Sequence, residues 1–105
     1  MHGPFRVDSS AAVVTHTAPG VYILSRDGKT ADYVGRSDHD VGSRIGQWAA
    51  TGSYSYFWFD YASSVADAHQ KECENYHRYN QLDNKIHPAA TLGTYFRCPV
   101  SGCGR

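Results

Sequence analysis

The apolar positions of the chain first gather in two short runs, 21–26 and 31–36, rich in Val, Ile, Leu and Tyr and separated by the turn signal Asp27-Gly28-Lys29-Thr30. This pattern predicts a β-hairpin. Residues 37–40 offer capping side chains, after which Val41, Ile45 and Trp48 recur at helical spacing until Gly52 stops the pattern, so a helix is expected over 41–50. Residues 54–61, Tyr-Ser-Tyr-Phe-Trp-Phe-Asp-Tyr, are aromatic on both alternating faces, which suits a strand at the centre of a sheet or under helices. Ser63 or Ser64 is placed to cap a second helix over 65–80, with Val65, Ala68, Glu72, Tyr76 and Tyr79 as its inward stripe. In an alternative phase Cys73 turns inward and Glu72 faces water. The choice matters because a buried lone carboxylate is costly unless a metal, a cation or hydrogen bonds compensate it.

Residues 1–19 carry no pattern strong enough to assign an element and read as an N-terminal extension to a single domain over 20–90. Residues 81–85 form a polar connection, His87-Pro88 is a stop signal, and 91–105 is a tail holding Cys98 and Cys103. A length of 105 residues, 41% of them hydrophobic and 19% charged, fits one soluble globular domain and argues against a disordered chain. Ten Lys and Arg balance ten Asp and Glu. A nucleic-acid partner must therefore be held by a local site, without help from excess positive charge. Three cysteines are too few for a disulfide-stapled secreted scaffold, so a reducing cytoplasm is the expected location. Neither a secretory leader pattern nor an apolar window of membrane length is present, and no membrane partner is expected.

Side chains alternate in a strand, so antiparallel pairing brings Tyr22 and Tyr33 to the same face of the hairpin. In the register of the longer loop Gly35 lies opposite Tyr22, where a missing side chain opens space for a ligand backbone. Taken alone, the two tyrosines also fit as good strand formers. Arg44 lies at the edge of the inward face of the first helix, either leaning over the hairpin or solvated with a buried stem.

Together these residues resemble the GIY-YIG nuclease superfamily. Gly20-Val21-Tyr22 looks like the first tripeptide and Tyr33-Val34-Gly35 like the second. Arg44 corresponds to the family's arginine, Ala68-His69-Gln70-Lys71-Glu72 resembles the stretch carrying its glutamate, and Asn84 matches the asparagine that follows. The likeness covers most of the chain and is greatest to small stand-alone members related to the nuclease domain of the bacterial excision-repair enzyme. Where many members carry histidine or tyrosine, one turn after the arginine, this chain has Trp48, which is neither acid nor base.

The resemblance implies an α+β fold, a three-stranded antiparallel sheet flanked by helices, and hydrolysis of DNA phosphodiesters, with RNA as a further possible substrate, using one divalent cation. Glu72 would hold Mg²⁺ or Mn²⁺, hard cations that take carboxylate and water ligands. Arg44 would donate to the scissile phosphate as charge builds. Tyr22 would act as base or water-positioning group, helped by the metal or Arg44 because a free phenol titrates near ~10, and Tyr33 would orient it. Gly35, Arg36, Asn84 and His87 would border the substrate, and a protein partner would supply specificity. Alternatives are a catalytically weak nucleic-acid-binding or partner-recruiting domain, and an adaptor with structural Zn²⁺ on Cys98 and Cys103. Two thiolates do not fill a tetrahedral site, so zinc would need His77, His87, Cys73 or a second chain. His69 and His77 read as ordinary hydrogen-bonding histidines.

Overall fold

A computed structural model describes residues 1–79, 82 and 83. The fold is α+β, with one antiparallel sheet of four strands. In chain order the elements are β1 (His2–Arg6), a 3-10 turn (Val7–Ser9), α1 (Ser10–Val13), β2 (Gly20–Ser25), β3 (Tyr33–Ser37), α2 (Val41–Thr51), β4 (Tyr56–Tyr61) and α3 (Val65–Arg78). Across the sheet the strands run β1-β4-β2-β3.

The expected hairpin, both helices and the aromatic strand are all present, and β4 lies between two neighbours as its aromatic pattern requires. The sheet has one strand more than expected, because β1 comes from the segment read as an extension. Phe5 pairs with Phe57 and Arg6 with Tyr56, and a register shift separates them from the His2–Phe59 pair. Pro4 donates no ladder hydrogen bond and is tolerated because β1 is an edge strand.

Local chemistry fixes the element ends. The Asp40 side chain caps α2 by accepting from the Ser43 amide, and Gly52 closes that helix in the left-handed conformation at φ 70°. Ser64 caps α3 by accepting from the Asp67 amide at 3.1 Å. In the β2–β3 connection the Asp27 carboxylate accepts from the amides of Lys29 and Thr30, each at 2.8 Å. These bonds hold its carboxyl well below the usual carboxylate range.

The sheet separates two apolar layers. On one face Tyr22, Leu24, Phe57 and Phe59 bury against Val41 and Ile45 of α2 and against Val7 and Val14 of the N-terminal segment. On the other, Val21, Ile23 and Val34 form a smaller cluster with Leu82 and with Tyr76 and Tyr79. After α3 the chain returns to the hairpin, where Asp83 accepts from the Tyr54 hydroxyl at 2.6 Å and pairs with Arg26. β3 is the second edge strand, and α2 and α3 each contact it.

Candidate functional site

The observed register pairs Tyr22 with Gly35 and Leu24 with Tyr33. Tyr22 and Tyr33 therefore share a face, with ring centroids 6.4 Å apart and planes inclined by 16°. The space above Gly35 is not open to a ligand backbone, contrary to the sequence reading. The Tyr22 ring fills it, and a Cβ at position 35 would meet both Cζ and the hydroxyl oxygen of Tyr22 at 2.5 Å. Trp48, one turn after Arg44 on α2, donates its Nε1–H to that oxygen at 2.9 Å. Its ring also lies 4.8 Å from Tyr33 and 5.7 Å from Tyr54.

This enclosure sets the acidity of the phenols. Burial pushes the Tyr22 hydroxyl up to about 12, and Tyr33 and Glu72 add to the rise while the Trp48 bond and Arg44 oppose it. Tyr33 is shifted in the same direction by burial and by Glu72, again opposed by Arg44. The sequence reading required a neighbour that favours the phenolate. Arg44 acts in that sense, but burial outweighs it, and Tyr22 is neutral at physiological pH.

Helix α3 settles the phase of its stripe between the two alternatives. Ala68, His69 and Cys73 are buried, whereas Glu72 stands at the margin of the buried face. Its carboxylate nonetheless keeps only 12% exposure, because it lies against Arg36 of β3. The Arg36 guanidinium donates to Glu72 Oε1 at 2.9 Å and to Asp38 Oδ1 at 3.0 Å, and its Nη1 also lies 2.7 Å from His69 Nδ1. Arginine has no acceptor, so His69 must accept at Nδ1 and carry its proton on Nε2, which faces the Cys73 sulfur at 3.6 Å. Burial lifts the Glu72 carboxyl to about 7, with Arg36 pulling it down and Asp38 pushing it up. A cation does compensate the inward carboxylate, and that cation is the protein's own guanidinium.

An open cleft of about 460 Å³ lies at this end of β3, walled by Arg36, Ser37, Asp38, His39, Arg44 and Glu72. Arg44 is exposed and projects from α2. Tyr22 and Tyr33 are not part of the wall. The charges of Arg44 and Glu72 reach both phenols only as opposing influences on their acidity. Tyr22, Tyr33 and Gly35 thus lie together on the α2 face of the sheet, Arg36 and Glu72 on the α3 face, and the cleft at the end of β3 brings Arg44 alongside the latter pair. Asn84, His87, Cys98 and Cys103 lie outside the described residues.

Among the described residues no three His, Cys, Asp or Glu side chains gather into a metal cage. Glu72, with Asp38 in the same wall, suits a largely hydrated Mg²⁺ or Mn²⁺, which binds through one or two carboxylates and keeps most of its water. A carboxylate offers about four lone-pair sites, and the Arg36 bond occupies one. Sequence reasoning missed Asp38 and His39, and it read His69 as an ordinary hydrogen-bonding histidine without finding its partner Arg36. His69 precedes Glu72 by one helical turn, so the shared face was readable, but nothing in the pattern linked it to a strand arginine.

Comparison with protein-family models, curated proteins and solved structures gives no match for this chain. No helix among the described residues is long and apolar enough to cross a membrane.

Proposed function

We propose that this protein is a divalent-metal-dependent endonuclease of the GIY-YIG type, hydrolysing phosphodiester bonds of DNA selected by structure or context. One observation carries the reading: Tyr22, Tyr33, Arg44 and Glu72, drawn from four separate elements, lie within electrostatic reach of one another beside a cleft that Arg44 and Glu72 line. A single strand feature or a lone buried acid would not require that coincidence.

Each residue acts according to its setting. Glu72 would anchor the cation, which when bound neutralises charge on the scissile phosphate and the leaving oxygen. Arg44, exposed in the cleft wall, presents planar donors to the same phosphate. Tyr22 accepts from Trp48 and keeps its own hydroxyl proton, and since it is buried behind the cleft wall it would act on the phosphate as a donor only through a water that enters the site. The general-base role is the weaker option, because a phenol titrating at about 12 is ionised in only about one molecule in 10⁵ at neutrality. Arg36 draws the Glu72 carboxyl toward its ionised form against the effect of burial, and holds it at the cleft until a cation competes for it.

A panel of labelled branched, single-stranded and duplex DNAs incubated with Mg²⁺ or Mn²⁺ tests the reading. Wild type is expected to cut at least one of them only with added metal, and Glu72→Ala and Tyr22→Phe to cut at least a hundredfold more slowly while keeping the fold. Equal activity in all three proteins removes the mechanism. The Arg36–Glu72 pair favours a second reading, a DNA-binding domain whose acid is already neutralised. In that case wild type and Glu72→Ala bind DNA alike and neither cleaves.

A further inference from the structure

Arg44 belongs to two concavities. Beyond the cleft, a shallow depression of about 200 Å³ is lined by Arg44, Gln47, Trp48 and Thr51, which recur along one face of α2. We propose that this depression seats one unpaired nucleobase beside the phosphate held at Arg44, which makes single-stranded or locally opened DNA the substrate class. The inference rests on the nuclease reading for the role of Arg44.

Four observations support it. Trp48 is half-buried and fixed on its inner side by the bond to Tyr22 and by the Tyr33 and Tyr54 rings, so offering the rest of its surface to a base costs little ordering entropy. Arg44 and Trp48 are four residues apart on one helix, about 6 Å along its axis, a length on the order of one nucleotide of extended strand. Gln47 supplies a donor and an acceptor at the margin of the depression for a base edge, and Thr51, whose hydroxyl proton goes to the Trp48 carbonyl at 2.7 Å, a further acceptor. The chain has no net charge, so its grip on DNA must draw on contacts other than bulk electrostatic attraction, and aromatic stacking is the contact that single strands offer. In an intact duplex the base faces are already stacked on one another.

The test uses full-length Glu72→Gln protein without metal, so that binding is read apart from cutting. Anisotropy is followed with a labelled oligothymidylate, an abasic strand of equal length and a blunt duplex hairpin. The oligothymidylate should bind more tightly than the other two, and Trp48→Leu should bring it down to the level of the abasic strand, a loss of about 5- to 150-fold as expected for one stacked base. The abasic strand should not notice the substitution. Equal weakening of both strands, or a duplex bound as tightly as the single strand, overturns the proposal.

A second measurement leaves Trp48 intact. The chain has two tryptophans, and in Trp58→Phe protein the remaining emission should be quenched by oligothymidylate and not by the abasic strand. Absence of quenching also overturns the proposal. If stacking is found but metal never induces cutting, the nuclease reading fails alone. If metal-dependent cutting is found and Trp48→Leu leaves binding unchanged, only the base seat fails.

Discussion

Gly35 shows how one absent methyl group holds the site together. The Tyr22 ring is buried and bonded to Trp48, so it cannot swing aside cheaply for a new Cβ. Gly35→Ala is therefore expected to lower stability by about 1–3 kcal/mol, the usual cost of overpacking. Denaturant unfolding would measure that loss. Glu72 carries a second consequence at this scale. Its carboxyl titrates at about 7 in the folded chain against an ordinary 4.5, so between those values the folded state holds a proton that the unfolded state has released. Stability from this group is complete below the unfolded value and is lost as pH rises through about 7. Between about pH 5 and 8 wild type should lose melting temperature relative to Glu72→Gln, by the equivalent of a few kcal/mol at most. Metal-dependent cutting should rise over the same interval, because the cation needs the ionised carboxylate.

Among the elements, α3 matters most to the site, since it presents both Glu72 and His69 to Arg36. Its start depends on the Ser64 hydroxyl. Ser64→Ala should cost about 1 kcal/mol, as loss of a capping side chain commonly does, and lower the melting temperature by about 4–8 °C for a domain near this size. Thermal unfolding followed by circular dichroism checks it. The elements that sequence reading found were those with strong local signals: the Asp-Gly connection, the Val41-Ile45-Trp48 repeat and the aromatic run of β4. β1 escaped because its residues are mostly exposed and interrupted by Gly3 and Pro4, so its strand character derives from pairing with β4. The site was legible as residue types in order along the chain. The Arg36–His69 contact was not, because it joins residues on a strand and a helix that no local pattern connects.

At the scale of the whole molecule, the sheet separates a large apolar layer from a small one, and the cleft opens where neither covers the margin of β3. The opposite margin is guarded differently. β1 caps β4, and Phe5 lies 5.6 Å from Phe57, so the first few residues shield the most aromatic strand among the described residues. Trimming the protein to begin at Gly20 would therefore strip β4 of its outer neighbour and leave its amides and carbonyls bare along a row of Tyr, Phe and Trp side chains. Such a shortened chain is expected to self-associate, visible as early elution and light scattering where the full chain remains monodisperse. On that outcome the leading segment would be a built-in guard against fibril-like stacking.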